Sequence, residues 1–290
     1  MKLGIIGLGL IGGSIAIDSK NNLSNCRIIG FDKNPNHAQK ALQLQLVDET
    51  VNDLIGMADC DAIVIAIPVN HIVSVTLDVL NVVSNHTTII DTGSTKSALC
   101  KAVAHHPKRN QLVAAHPIAG TENSGPEAAI ANLFLGKTNI ICEKEKSSSI
   151  ALQQAQHLFD ALGLQTIFMD ADEHDKHVAY VSHLSHVSSF LLGLTVLDIE
   201  KDEKNIATLA GSGFASTVRL AKSSPDMWAP IFEQNMEYLS QALQEYIIHL
   251  QRFQYHLLKR DKDELHKTMR EANAIRRILQ GIENKNVQQK

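Results

Sequence analysis

One segment limits the possible folds more than any other. Gly7-Leu8-Gly9-Leu10-Ile11-Gly12-Gly13 follows the apolar run Lys2–Ile6 and opens a helix-forming stretch. A GxGxxG spacing between strand and helix serves a tight turn at its first glycine, close approach of a pyrophosphate at the second, and close helix–sheet packing at the third. The helix N-terminus then faces the phosphate charge with unpaired amides. A second strand, Arg27–Phe31, runs into Asp32, twenty residues after Gly12. At that distance a carboxylate accepts hydrogen bonds from the adenosine ribose hydroxyls. Gly7, Leu8, Gly9, Leu10, Ile11, Gly12 and Asp32 are therefore expected to hold a dinucleotide. Asp32 predicts NAD over NADP, because a 2'-phosphate would meet a like charge. Lys33 works against that preference.

The rest of the first 170 residues repeats the alternation. Apolar, β-branched runs at Ala62–Ile67, Thr87–Asp91, Leu112–Ala115, Asn139–Cys142 and Gln165–Met169 are separated by helical patterns at 36–46, 71–81, 95–104 and 148–162. Strands apolar on both faces with helical spacers predict a mostly parallel α/β sheet of Rossmann type. The direction of the last strands stays open. Pro68, just past one strand, and Asp91, ending another, are placed at the cofactor.

Beyond 170 strand patterns cease. Asp170 or Asp172 caps a helix running to about Leu197, a polar stretch follows at 200–204, and helical patterns occupy 226–259 and 261–281. Met236, Leu239, Leu243, Ile247 and Leu250 recur at helical spacing and require a partner surface, intradomain or from a second copy. The expected organisation is a nucleotide-binding domain over 1–170 and an all-helical domain over 171–290. A formal charge of -4 gives no footprint for nucleic acid. The longest apolar windows read as too short or too interrupted to span a bilayer, and no secretory signal is evident, so a cytoplasmic protein with free cysteines is expected.

Chemistry concentrates after two strands: Asp91-Thr92-Gly93-Ser94-Thr95-Lys96, and Ala115-His116-Pro117-Ile118-Ala119-Gly120-Thr121-Glu122. Ligands in open α/β sheets sit beyond the carboxyl ends of strands, so both segments approach the nicotinamide, and His116 is the candidate catalytic group. His174, His177, His183 and His186 follow in the first helix of the second half; the 183/186 pair shares a helix face and suits substrate contact or a structural role. No carboxylate–histidine motif accompanies it, so no metal is expected.

Together, GLGLIGGS, DTGSTK, HPIAGTE, the His183–His186 region and Gly211-Ser212-Gly213-Phe214 leading to Arg219 resemble the prephenate/arogenate dehydrogenase family of tyrosine biosynthesis. The resemblance implies NAD-dependent oxidation of the substrate's ring carbinol with loss of carbon dioxide, aromatisation supplying the driving force. It implies His116 as hydrogen-bond acceptor for the ring hydroxyl and Ser94 as its helper. Arg219 then clamps a substrate carboxylate, Glu122 is a gating or ion-pairing acid, Trp228 a pocket-edge aromatic, and a later histidine, His183 or His186 with His186 favoured, touches the substrate. It also implies a homodimer through the helical domain, with prephenate or arogenate as the small-molecule substrate. An acid that relatives often carry before the arginine is absent from Gly213–Arg219. Two rivals are a 3-hydroxyacid or imine-type dehydrogenase working through Lys176, and a non-catalytic NAD-binding protein.

Overall fold

A computed structural model describes residues 1–202 and 206–287; residues 203 and 204 of the expected polar stretch lie outside them. Among the described residues eight strands form one sheet: β1 (Lys2–Ile6), β2 (Arg27–Phe31), β3 (Glu49–Thr50), β4 (Ala62–Ile65), β5 (Thr88–Asp91), β6 (Leu112–Pro117), β7 (Thr138–Cys142) and β8 (Gln165–Met169). Their order is β3-β2-β1-β4-β5-β6-β7-β8. All neighbours pair in parallel except β6 and β7, which are antiparallel. The strand order reverses between β1 and β4, the switch point where an open α/β sheet offers its crevice.

Helices α1 (Leu10–Asn22), α2 (Pro35–Gln43), α3 (Val69–Val82), α4 (Ser97–Val103) and α5 (Ser149–Ala161) alternate with the strands. Because side chains on a strand alternate in direction, each sheet face builds its own core. Leu3, Ile5, Val64, Ile90 and Val113 pack with Ile15 of α1 and Leu158 and Phe159 of α5. On the other face Ile63, Ile65, Ile89 and Leu112 meet Ile72 and Val79 of α3 and Val103 of α4. Local chemistry sets the helix starts. Asn34 accepts from the Asn36 amide at 3.0 Å ahead of Pro35, and Ser148 accepts from Ala151 at 3.1 Å.

After β8, Asp170 caps α6 (Ala171–Val178), accepting from Asp172 at 2.7 Å and Glu173 at 3.2 Å. A π turn, Ala179–His183, joins α6 to α7 (Leu184–Asp202). The joined run Ala171–Lys201 is long and apolar enough, by length and composition, to cross a membrane. That corrects the expectation that no window reaches this length; buried His174, Asp175 and His183 commit its first half to the sheet domain. Then come α8 (Ser212–Thr217), α9 (Pro225–Gln234), α10 (Met236–Leu258), α11 (Lys262–Ala272) and α12 (Arg276–Val287).

The chain divides into two compact units, Met1–Asn235 and Met236–Lys290. The textural boundary at 170/171 falls inside the first, because Trp228 and Ile231 of α9 join the core of one sheet face. The expected helix 226–259 is broken at Asn235, whose side chain turns inward to bond the Asp175 carbonyl at 2.7 Å. The second unit consists of α10–α12. Asp261 caps α11 by accepting from Glu264 at 3.2 Å, and His256 stands 3.3 Å from the same carboxylate. All four cysteines are free thiols.

Candidate active site

The glycine-rich turn has the shape its spacing demands. Gly7 sits at φ +90°, and a Cβ there would lie 2.3 Å from the Ala66 carbonyl oxygen; one at Gly12 would lie 2.0 Å from the Gly7 oxygen. Gly9 caps α1 and faces open space, the nearest atom to an added Cβ being the Gly125 nitrogen at 3.9 Å. Leu8 and Leu10 are buried and Ile11 is partly buried, so their side chains anchor the turn. Asp32 accepts from the Leu8 amide at 2.8 Å and from Asn34 at 2.8 Å. The carboxylate expected at the ribose therefore also ties the glycine turn to the end of β2, and His37 lies 3.7 Å away. These features fit a dinucleotide: a small-residue opening at a helix N-terminus, with a carboxylate beside it.

Pro68 precedes α3 as its N-cap residue rather than closing a longer strand. Asp91 corrects an expectation. It is 0% exposed and engaged by the Lys96 ammonium and, at 2.8 Å, by the Gly93 amide. Lys96, equally enclosed, also donates to the Ala115 carbonyl at 2.7 Å. The pair organises the β5–α4 loop from within and presents nothing to a cofactor. Ser94, in that loop, is partly exposed.

His116 lies within β6 rather than in the loop beyond it, because β7 returns antiparallel and pairs His116 with Ile140. Its partly exposed ring meets a residue that sequence reading passed over: His116 Nδ1 is 2.8 Å from His174 Nε2. His174 Nδ1 in turn is 2.8 Å from Asp175 Oδ1. The Asp175 carboxylate also accepts from the amides of Lys96 at 2.8 Å and Ser97 at 2.9 Å. Burial above all, then His174, Lys96 and His183, holds His116 well below the ordinary imidazole value. Burial likewise lowers His174, against the pull of Asp175. Burial pushes Asp175 up, but His174 and the two amides outweigh it and keep its pKa below the usual carboxylate range. A helical signal for this pair was present. Ala171, His174, Asp175 and Val178 stand at i, i+3, i+4 and i+7, and all four are buried.

The two later histidines differ in access. His183 is 1% exposed, receives the Asn235 side-chain amide at Nδ1 at 3.0 Å, and packs edge-on against Trp228 and Phe232. Burial first of all brings it down to about 4. His186 is partly exposed, anchored at Nδ1 by the Ser182 carbonyl at 3.0 Å and stacked on Trp228 at 3.4 Å between ring centroids. Trp228, expected at a pocket edge, is instead buried beneath both histidines, because it belongs to the core of the sheet face.

Arg219 is largely exposed and stands 3.9 Å from Glu122. Its turn is pinned to α7 by buried Ser189, whose hydroxyl donates to the Thr217 carbonyl and accepts from the Ala221 amide, each at 3.1 Å. Glu122 thus stands opposite the arginine that lacks the usual acid beside it. The segment 118–137 that carries Glu122 is fixed to α1: Ile130 donates to Ser14 at 3.0 Å and Asn132 to Asp18 at 2.8 Å. Lys176 and His177 are exposed, and Lys176, two residues on, lies on the opposite side of the helix from His174. Among the described residues no group of three or more metal-ligating side chains converges.

Residues 15–168 match the family description "Prephenate dehydrogenase, nucleotide-binding domain", and 170–271 match "Prephenate dehydrogenase, dimerization domain". A prephenate dehydrogenase of Bacillus subtilis is 30% identical over 275 residues, spanning 94% of this chain and 74% of that protein. The crystal structure of prephenate dehydrogenase from A. aeolicus, in complex with hydroxyphenyl propionate and NAD+, superposes with a TM-score of 0.89 at 28% identity, covering 96% of this chain and 98% of that one. Synechocystis arogenate dehydrogenase follows with a TM-score of 0.78 at 27% identity, covering 96% and 100%.

Proposed function

Because the chain belongs to the prephenate dehydrogenase family, we propose that it catalyses the NAD-dependent oxidative decarboxylation of prephenate, arogenate or both, in tyrosine biosynthesis. The observation that carries this reading is the line His116–His174–Asp175 at the carboxyl edge of the sheet. It sets a neutral imidazole near the carboxyl end of β6, on the same edge of the sheet as the glycine turn that follows β1. NAD, when bound, supplies the acceptor for the hydride of the ring carbinol. Gly7, Gly9, Gly12 and the first turn of α1 would hold its pyrophosphate and Asp32 its adenosine ribose.

His116 takes the proton of the ring hydroxyl. An imidazole held neutral is suited to that task, since it accepts a hydrogen bond without first losing a proton. Ser94 orients the hydroxyl, Arg219 offers a planar fork to a carboxylate, and His186, the more accessible histidine, contacts the substrate beside it. Glu122 screens Arg219 until an anionic substrate displaces it. Residues 1–170 hold the nucleotide and supply His116 and Ser94, while 171–290 supply the remaining substrate contacts and the pairing of two copies in a cytoplasmic homodimer.

The test is NADH formation from prephenate, arogenate and a simple 3-hydroxyacid. Turnover of one or both cyclohexadienols and none of the 3-hydroxyacid is expected. Preference for the 3-hydroxyacid would overturn the assignment in favour of a lysine-based dehydrogenase, which exposed Lys176 is poorly placed to support.

A further inference from the structure

Proton accounting along the histidine line goes beyond which residue is the base. Asp175 has an ionised carboxylate that only accepts hydrogen bonds, and two of its bonds come from the Lys96 and Ser97 amides. Its contact with His174 Nδ1 at 2.8 Å therefore requires a proton on that nitrogen. A neutral imidazole has one N–H, so His174 Nε2 is bare and acts as an acceptor. The nitrogen facing it at 2.8 Å, His116 Nδ1, must then be the donor. The lone pair of His116 is left on Nε2.

We propose that His174 and Asp175 are positioning residues that lock His116 in the Nδ1–H tautomer and so reserve Nε2 as the proton-accepting nitrogen. The inference rests on His116 being the base of the proposed reaction. One carboxylate performs two tasks. Lys96 and Ser97 stand at the N-terminus of α4, where amides lack helical partners, and Asp175 supplies them from another helix. The loop that carries Ser94 and the ring of His116 are thereby referred to the same two oxygens. Asn235 fixes this point from behind, donating to the Asp175 backbone carbonyl at 2.7 Å.

Nitrogen-15 NMR of the histidine-labelled chain tests the proton positions directly, with the His116 signals assigned by their loss in His116→Gln. A protonated Nδ1 and a bare Nε2 are expected; a proton on Nε2 of His116 would overturn the proposal. Two variants of His174 test the consequence. His174→Phe keeps an aromatic volume but offers no acceptor, and kcat should fall about 100-fold with KM within about threefold, because a His116 free to carry its proton on Nε2 no longer presents a base to the substrate. His174→Gln offers an amide oxygen to the same N–H and should regain roughly tenfold of that loss. Equal kcat values for the two variants would assign His174 to packing alone. A wild-type chain inert toward prephenate and arogenate would remove the proposed function and leave the nitrogen spectrum to decide the tautomer.

Discussion

At the scale of single residues, the site separates chemistry from binding. His116→Ala should lower kcat roughly 1,000-fold while KM moves only a fewfold, since a general base contributes typically ~10²–10⁴ in rate; steady-state kinetics with saturating NAD decide it. Arg219→Ala should act the other way, raising KM for the substrate about 10- to 100-fold with kcat nearly kept, the loss expected for one charge-assisted carboxylate contact. Asp32 has a second task in the structure, accepting from the Leu8 amide of the glycine turn. Asp32→Ala should shift the NAD/NADP ratio of kcat/KM toward NADP by at least about tenfold, because the like charge against a 2'-phosphate is gone. It should also raise KM for NAD, because the Leu8 amide loses its acceptor. An unchanged ratio would separate Asp32 from the ribose. Asp32 and the glycines stood out in the sequence because each follows a strand at a fixed offset, and His116 because it falls near the end of one. Asp91 was misread for the same reason: its strand-end position suggested a ligand contact, whereas Lys96, five residues on, draws it inward.

At the scale of elements, the helix entering the second half carries the main lesson. Its capping residue and acidic first turn were visible in the sequence, but the roles of His174 and Asp175 were not. Local pattern shows which face of a helix is buried; it does not show that a strand 58 residues earlier will present a second imidazole there. The same element sets a pH dependence of stability. His183 falls from 6.5 unfolded to about 4 folded, mainly through burial. A depressed histidine favours the neutral folded form, so its contribution is complete above pH 6.5 and declines as pH falls toward 4, where the unfolded chain binds the extra proton. The span corresponds to about 3 kcal/mol for this residue. His116, His174 and His186 shift in the same direction. Thermal unfolding followed from pH 7.5 to 4.5 should show a steeply falling midpoint, and His183→Gln should flatten it. A midpoint equally steep in the variant would move the effect elsewhere. The short strand β3 was missed for a simpler reason: two residues carry no periodicity.

At the scale of the molecule, the sheet was legible from its strand–helix alternation, whereas the reversal at β7 was not, because an apolar run reads the same in both directions. The second unit exposes Leu250, Phe253, Leu257 and Leu258, the first three at a spacing that sets them on one helix face, as an association surface would require. Sedimentation at micromolar concentration should return twice 31.8 kDa, and the double substitution Leu250→Glu with Leu257→Glu should shift the population to the single chain. The reversal at β7 also bears on descent. Since β7 starts at the edge where β6 ends, the connecting segment leaves and rejoins the sheet at its catalytic edge, with Ile118 bonded to Thr138 at 2.8 Å across its base. A loop closed at its base accepts insertions at little entropic cost, each doubling of length adding only about 0.6 kcal/mol. Lineages can therefore lengthen or rewrite the stretch bearing Glu122 without disturbing a strand, an evolutionary latitude that the strictly parallel half of the sheet, bound by its crossover helices, does not share.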